Sequence, residues 1–180
     1  MYGLVNKSIE ELVTQQFGEQ KWEDIKLRSG VDVDFFLSNE PYDDAITFKL
    51  AKTAAQELQV SVEDVLTLFG EFWVLDTAKK KYGDLMAAGG DNLKDFLIHL
   101  PNFHDRIILL FPKVTPPEFS VSNVTNNSLH LHYKSKREGL QAFVLGLLQG
   151  LGKMYAVDIT IDILQKKADG HTHEIFKISW

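Results

Sequence analysis

The chain has 180 residues, of which 44% are hydrophobic and 24% are charged, and its formal net charge is −6. These values predict one globular domain that buries about 70% of the surface of its unfolded chain. The acidic balance argues against nucleic acid as a partner, because phosphates attract a basic face. No apolar run is long enough for a membrane span, and the N-terminus lacks a basic segment before an apolar core. We therefore expect a cytoplasmic protein.

The chain contains no cysteine, which limits the cofactors and cross-links it can have. It excludes disulfides, cysteine zinc sites, iron–sulfur clusters and haem that is attached or ligated through cysteine sulfur. Any haem in this chain must be held non-covalently, and histidine is the obvious candidate ligand. A lack of cysteine fits the cytoplasm, although such a chain would also survive an oxidising compartment.

Hydrophobic periodicity predicts helices throughout the first half of the chain. The predicted helices are residues 3–17, a short helix that ends near Gly30, one from Pro41 through Leu58, one that follows Ser61, one that stops at Gly89-Gly90, and one from about Asn92 to Leu110. Ser61 and Asp64 have the spacing of an N-terminal cap. The last of these helices carries both His99 and His104.

After Pro117 the apolar period changes to two, which indicates strands. The predicted elements are a hairpin of residues 119–122 and 129–133 around Asn126-Asn127, a long helix from about Arg137 to Tyr155, and strands at 157–163 and 174–178. We therefore predict an α+β fold, in which a helical N-terminal half precedes a four-stranded antiparallel sheet interrupted by one long helix. We expect a distal helical lobe, residues 1–62, and a proximal lobe with the sheet, residues 63–180.

The second strand of the hairpin places three polar side chains on its apolar face. Leu129 and Leu131 set that face, and period-two alternation adds Tyr133, Ser135 and Arg137 to it. A buried charge without a partner costs about 3–5 kcal/mol, and no acidic residue shares this face of the strand. We therefore expect an anion from outside the chain, a ligand carboxylate or phosphate held by a charge-assisted fork.

His104 lies in a strongly apolar stretch, residues 97–112, which is followed by a Thr-Pro-Pro turn that ends at Pro117. A lone histidine on an apolar helix is more often an interior side chain than a metal ligand, so His104 by itself does not indicate a metal site. His99 is a competitor on the same helix. Five residues correspond to roughly 140° around a helix axis, so the two rings cannot both face one metal ion.

The chain resembles the haem–nitric oxide/oxygen binding (H-NOX) family in three features taken together. These are His104, the Pro-Pro turn after it, and a Tyr-x-Ser-x-Arg motif about thirty residues after the histidine. That family includes the sensor domain of soluble guanylate cyclase, and the resemblance covers essentially the whole chain. It implies non-covalent haem b between two lobes, with His104 as the iron ligand. It further implies that Tyr133, Ser135 and Arg137 bind the haem propionates and that Pro117 presses on the porphyrin.

The distal wall of such a site selects the gas. In oxygen-binding members of the family, a tyrosine on the helix after the Tyr-x-Ser-x-Arg motif donates to bound oxygen, and this chain has Phe143 at the matching position. Trp73 offers an N–H, although an ordinary core tryptophan is the simpler interpretation. The predicted wall is apolar and consists of Leu4, Val5, Phe72, Trp73, Phe143 and Leu147. The resemblance therefore implies nitric oxide sensing rather than oxygen carriage.

The resemblance also implies a mechanism, in which nitric oxide binds ferrous iron opposite His104, weakens the iron–imidazole bond and shifts the two lobes. Carbon monoxide is expected to bind as well. A separate signalling enzyme, a histidine kinase or a cyclic-dinucleotide enzyme, would receive the signal, so the chain itself is not expected to be an enzyme. Three alternatives stay open: an oxygen-binding haem protein of the same fold, a haem-free ligand or scaffold domain, and an enzyme that uses His104 as a general base beside Arg137.

Two further patterns have weaker interpretations. His130 and His132 share a strand face, and His171 and His173 lie near a turn. Either pair could bind a metal at the surface, although solvated histidines are the simpler interpretation. The glycines of residues 146–152 miss the spacing of a phosphate-binding loop and therefore indicate close helix packing.

Overall fold

In the computed structural model, the described residues are 1–110 and 115–180, so the last residues of the apolar stretch 97–112 lie outside them. The helices are α1 (Gly3–Phe17), α2 (Glu19–Ser29), α3 (Asp44–Leu58), α4 (Val62–Phe72), α5 (Lys79–Ala87), α6 (Leu93–Leu110) and α7 (Gln141–Met154). The strands are β1 (Glu118–Ser122), β2 (Ser128–Lys134), β3 (Thr160–Gln165) and β4 (Glu174–Ser179). None of the described helices is long and apolar enough to cross a membrane.

Local capping explains where two of the predicted helices begin and end. Helix α2 ends at Gly30, whose φ of 63° is the left-handed conformation that glycine adopts easily. Helix α4 begins with a capping box. The Asp64 amide donates to Ser61 Oγ at 3.0 Å, and the Ser61 amide donates to Asp64 Oδ2 at 3.1 Å.

A π-helical segment, Trp73–Ala78, joins α4 to α5 without a loop. The sequence predicts two separate helices here, and the structure joins them through this segment. A wider π turn changes the direction in which successive side chains point and is frequent at functional sites. In this chain, the segment contributes Trp73, Val74 and Ala78 to the cavity described below.

The four strands form one antiparallel sheet in the order β1-β2-β4-β3. The inner face of the sheet is closed to solvent. Its fully buried side chains are Leu129, Leu131, Phe176 and Ile178. The predicted α+β fold, with a helical first half and an antiparallel sheet interrupted by α7, is confirmed.

The predicted boundaries in the second half need three corrections. The turn between β1 and β2 spans residues 123–127 rather than Asn126-Asn127 alone, because Asn123 adopts a φ of 49° and the Thr125 amide donates to the Ser128 carbonyl at 2.8 Å. Helix α7 begins at Gln141 rather than at Arg137, after Gly139 with a φ of 74°.

Strand β3 is Thr160–Gln165 rather than residues 157–163. The Val157 amide donates to the carbonyl of Gly152 at 2.9 Å and therefore still closes the end of α7. At the other end of the strand, an irregularity between Ile163 and Gln165 shifts the register against β4. Periodicity alone identifies such a strand but not where its pairing starts.

Helices α4 and α7 approach until their backbones touch, as the glycines near residue 146 predict. A Cβ on Gly70 would overlap the carbonyl oxygen of Phe143, and one on Gly146 would overlap the carbonyl oxygen of Thr67. Glycine is required at such positions because any side chain would separate the helices. This contact fixes the position of Phe143 relative to Trp73 at the end of α4.

The hydrophobic core consists of two clusters of buried side chains. The first packs α1 to α4 around Ile25 and Leu50, and the second packs the sheet, α6 and α7 around Leu97 and Leu131. Helix α4 begins at Val62 but contributes Phe69 to the first cluster. The division into lobes at residue 62 stays a prediction.

Candidate functional site

A cavity of about 380 Å³ is lined by members of both core clusters. This volume lies in the range of small-molecule sites. The predicted site residues all line it: Leu4, Val5, Trp73, His104, Pro117, Tyr133, Ser135, Arg137, Phe143 and Leu147. Phe72 is not among the lining residues and packs against the first core cluster instead, so its inclusion in the predicted wall is wrong.

Helix α6 delivers His104 to this cavity with a defined tautomer. The Nδ1–H of His104 donates to the carbonyl of Leu100, one turn earlier, at 3.1 Å. Burial lowers the pKa of His104, against smaller opposing effects of the Leu100 carbonyl and Asp105, so the ring is neutral. Nε2 then carries a lone pair, and it makes no hydrogen bond to the described residues. A neutral imidazole whose second nitrogen is held by a carbonyl is a typical metal ligand.

Aromatic rings connect His104 with the sheet. Its ring centroid lies 5.6 Å from that of Phe103 and 4.7 Å from that of Phe119 on β1. Phe119 in turn lies 5.4 Å from Tyr133 on β2. The imidazole and the phenol therefore belong to one packed row of rings at the same end of the cavity.

His99, the competitor on the same helix, lies outside the cavity wall. Its ring is exposed and its Nδ1 lies 3.1 Å from the carbonyl oxygen of Gly89. Since His99 and His104 point in different directions around α6, only one of them, His104, lines the cavity.

The three polar residues of the motif reach the cavity by two different routes. Tyr133 is part of β2, is only 4% exposed, and follows the buried face of Leu129 and Leu131 as the alternation predicts. Burial raises the pKa of Tyr133, although the Ser135 hydroxyl lowers it. Strand β2 ends at Lys134, so the extension of the strand through Ser135 and Arg137 is wrong.

A turn positions those last two residues instead. The Arg137 amide donates to Ser135 Oγ at 3.1 Å, and both side chains line the cavity. The Arg137 guanidinium donates from Nη1 to the Thr115 carbonyl at 2.9 Å. The short turn therefore brings the hydroxyl and the guanidinium beside the Pro116-Pro117 segment.

Arg137 has an acidic partner within the chain, which the alternation pattern does not predict. Its Nε donates to Asp44 Oδ2 at 2.7 Å, and Asp44 also accepts from the N-terminal amine. Burial opposes ionisation of Asp44, but these two cationic partners hold its pKa below the usual value. Nη2 of Arg137 makes no hydrogen bond to residues 1–110 or 115–180. The guanidinium is thus paired on one side and can bind an anion on the other.

The wall formed by α4, the π-helical segment and α7 is aromatic and apolar. The ring of Phe69 lies 5.0 Å from that of Phe143 and 6.0 Å from that of Trp73. Leu147 lies one turn beyond Phe143 on α7 and also lines the cavity. None of the five tyrosines of the chain lies on α7, so this helix offers no phenol to the cavity.

Sequence reasoning missed several lining residues. The additional ones include Phe48, Tyr82, Met86, Leu100, Phe103, Ile107, Thr115 and Phe119. Leu100 and Ile107 could have been found from the spacing of α6, because they lie four and three residues from His104. Phe103 directly precedes His104 in the chain. Phe48 and Tyr82 give no local signal, since only the tertiary fold brings them to the cavity.

Comparison with known proteins identifies the family. The family model for haem–NO-binding domains matches residues 2–163. The chain belongs to the haem–NO-binding (H-NOX) family. Members of this family are haem-based gas sensor domains related to soluble guanylate cyclase.

Curated relatives of this H-NOX chain include two soluble guanylate cyclases of Caenorhabditis elegans. Gcy-33 is 29% identical over 182 residues, and gcy-31 is 26% identical over 170 residues. These matches cover 100% and 94% of this chain, but only 19% and 24% of the cyclases. The chain thus spans about a fifth to a quarter of the length of these relatives.

Solved H-NOX structures have the same fold. The S. oneidensis H-NOX protein in the Fe(II)NO ligation state matches with a TM-score of 0.89 at 22% identity, over 99% of this chain and 98% of that one. The Fe(II) unliganded H-NOX protein from K. algicida matches with a TM-score of 0.87 at 25% identity, over 99% and 96% of the two chains.

The residues of this H-NOX cavity fit a haem group. The walls are apolar, one neutral imidazole presents a nitrogen lone pair, and a phenol, a hydroxyl and a partly unpaired guanidinium lie along one side. A flat apolar macrocycle with two carboxylates requires this combination of an apolar slot, an axial ligand and charge-assisted donors.

Proposed function

We propose that this chain binds haem b non-covalently, with His104 as the iron ligand, and senses nitric oxide. The observation that supports this most strongly is the state of His104, whose Nδ1–H is held by Leu100 while Nε2 has no hydrogen-bond partner among the described residues. Among the histidines of the residues that the structure describes, His104 is the one that lines the cavity. Membership of the haem–NO-binding family supports the same role.

Each remaining site residue has a proposed task that follows from its chemistry. Bound haem would supply an iron atom that binds a diatomic gas. Tyr133, Ser135 and Nη2 of Arg137 would donate to the propionates. Pro117 would contact the macrocycle, while Leu4, Val5, Trp73, Phe143 and Leu147 would exclude water. The side chains that would surround the gas are therefore apolar.

An apolar wall favours nitric oxide and carbon monoxide over oxygen, because bound oxygen is polar and requires a hydrogen-bond donor. The part of the wall that α7 contributes, which includes Phe143, offers no phenol, because this helix carries no tyrosine. H-NOX structures from S. oneidensis with the same fold have been solved in an Fe(II)NO and in an Fe(II)CO ligation state. We transfer the ability to bind both gases to this chain as part of the proposal.

Signalling would start at His104, the residue that would hold the iron. Helix α6 packs against the sheet through the ring pairs of His104 and Phe119, so a change at His104 reaches β1 directly. Two packings of this region would then differ in population. We propose that a separate signalling enzyme, a histidine kinase or a cyclic-dinucleotide enzyme, reads this change in the cytoplasm and that the chain itself is a sensor and not an enzyme.

The test is an absorption spectrum of the purified protein with and without nitric oxide, in the native chain and in two glycine variants. The native ferrous protein should show a Soret band that shifts with nitric oxide and should form no stable oxygen complex in air. His104→Gly should lose haem unless imidazole is supplied.

His99→Gly is the matched control, because His99 lies on the same helix but outside the cavity wall. It should keep its haem and respond to nitric oxide like the native chain. Full haem retention by His104→Gly without imidazole would overturn the assignment of the iron ligand. A native protein that refuses haem altogether would overturn the proposed function.

A further inference from the structure

Four of the six histidines of the chain lie at residues 130–132 on β2 and 171–173 in the segment before β4. Two of them are in direct contact. Nδ1 of His132 on β2 lies 3.0 Å from Nε2 of His173, which precedes β4, and the two rings are stacked with an interplanar angle of 30°. The haem-sensing proposal gives this pair no role, since neither ring lines the cavity.

The outer nitrogens of the pair also have partners. Ser122 Oγ lies 2.7 Å from His132 Nε2, and Thr172 Oγ1 lies 2.9 Å from His173 Nδ1. A hydroxyl can accept a hydrogen bond from either ring. When both outer nitrogens donate, the two inner nitrogens carry lone pairs that lie close to each other.

We propose that His132 and His173 bind one divalent late first-row transition-metal ion, such as Zn²⁺, at a site separate from the haem cavity. In the ring whose inner nitrogen now donates, the hydrogen would move to the outer nitrogen, so that both inner nitrogens offer lone pairs to the ion. Ser122 and Thr172 would then accept from the outer nitrogens, which is how metal-bound histidines are usually held. Water completes the coordination of the ion, since no group of three or more His, Cys, Asp or Glu among the described residues could hold a metal.

The geometry needs only a small adjustment to accept the ion. Zinc–nitrogen bonds of about 2.0–2.1 Å at a tetrahedral angle separate the two nitrogens by roughly 3.3 Å. The observed separation of 3.0 Å between Nδ1 and Nε2 therefore has to open by a few tenths of an ångström, with a rotation of the rings. Both side chains are partly exposed, so they can rotate and a metal ion can reach them.

The backbone holds the pair in register. Strands β2 and β4 are hydrogen-bonded neighbours in the middle of the sheet, and His132 pairs with Ile175, two residues after His173. The Gln165 side chain donates to the His173 carbonyl at 2.9 Å and fixes the end of the segment before β4. A site on a strand is positioned more precisely than one on a loop, and this site has one residue on β2 and one directly before β4.

The experiment is a calorimetric titration of the untagged, chelator-treated native protein with zinc chloride at pH 7.5. We expect one zinc ion per chain at micromolar concentrations, with an unchanged Soret band. His132→Ala and His173→Ala should each weaken binding at least tenfold, and Ser122→Ala should weaken it by about 10–100-fold as an outer-shell change. Circular dichroism would verify that each variant is folded.

His171→Ala is the matched control, because His171 lies two residues from His173 on the same segment but is exposed and outside the stacked pair. It should bind zinc like the native protein. Failure of the native protein to bind zinc would overturn the proposal, as would unchanged binding by His132→Ala. A loss in His171→Ala as large as that in His132→Ala would also overturn it, since the ion would then be bound by the loop and not by the pair. The Soret band measures haem binding and calorimetry measures zinc binding. A failure of either proposal therefore leaves the other one testable.

Discussion

Arg137 and Asp44 form an ion pair of 2.7 Å between Nε and Oδ2, although they lie 93 residues apart in the chain. The pair joins the turn after β2 to the first turn of α3. One consequence is that the guanidinium is already oriented before any ligand arrives. A second is that its charge is partly neutralised, so an incoming anion competes with Asp44 for it.

Arg137→Ala should weaken haem binding by about ten- to a hundredfold. One charge-assisted hydrogen bond, from Nη2 to a propionate, would be lost, and such a bond is worth roughly 1.5–3 kcal/mol. The measurement is the rate of haem transfer to an excess of a haem-scavenging protein. Lys136→Ala removes an exposed cation one residue away and should leave this rate unchanged. Indistinguishable rates in the native and Arg137→Ala proteins would refute the role of Arg137.

The Asp44 carboxylate should make the stability of the protein depend on pH in acid. Its pKa in the fold lies below the ordinary value, despite burial, because the N-terminal amine and Arg137 both stabilise the charged form. The unfolded chain therefore binds the proton first, so this contribution is complete above the unfolded pKa of about 3.9 and is lost as the pH falls below it.

Asp44→Asn should accordingly be less stable than the native protein at pH 7, and the difference should shrink at pH 3.5. Urea unfolding followed by circular dichroism at pH 7, 4.5 and 3.5 measures both proteins. Asp43→Asn tests the neighbouring carboxylate, which caps α3 by accepting from the Ala45 amide and has no ion pair in the described structure. An equal pH response in the Asp44→Asn and native proteins would contradict this prediction.

Phe143→Tyr should confer measurable oxygen binding on the ferrous protein. The substitution adds a phenol to the apolar wall without changing the ring contact with Phe69 at 5.0 Å. A donor in that position stabilises the partial negative charge on bound oxygen. The measurement is the visible spectrum in air, with Phe143→Leu as a control that adds no donor. A stable oxygen complex in the native protein would show that a phenol on α7 is not needed.

Gly146→Ala should destabilise the protein by about 1–3 kcal/mol, as overpacking of a close contact does. Its Cβ would overlap the Thr67 carbonyl, so α4 and α7 would have to separate. Gly83 on α5 has open space around it, and Gly83→Ala should be neutral or slightly stabilising. Urea unfolding of the two variants measures the contrast. Equal stability of both variants would mean that the helix contact is not tight in solution.

The sequence predicts those parts of the site that depend on local periodicity. Tyr133 follows from strand alternation beyond Leu129 and Leu131, and the separation of His99 from His104 follows from helical geometry. These features depend on a few neighbouring residues, so they can be derived without knowledge of the tertiary fold. The prediction of the overall α+β class succeeded for the same reason.

Features that depend on distant residues could not be predicted. Asp44 belongs to a helix far from Arg137 in the chain, so the strand pattern alone suggested an unpaired guanidinium. The strand also ends at Lys134, three residues before the pattern stops at Arg137, because Gly139 and the bond from the Arg137 amide to Ser135 Oγ favour a turn. The π-helical segment has no sequence signal that distinguishes it from an ordinary helix.

The bond from Nδ1 of His104 to the Leu100 carbonyl has a mechanical consequence. It ties the ring to the preceding turn of its own helix, and the contact with Phe119 limits rotation from the other side. Swinging the side chain alone would break both contacts. A force on Nε2 should therefore move helix α6 as a rigid body. The displacement of the backbone should then be greatest at an end of the helix and smaller at the imidazole.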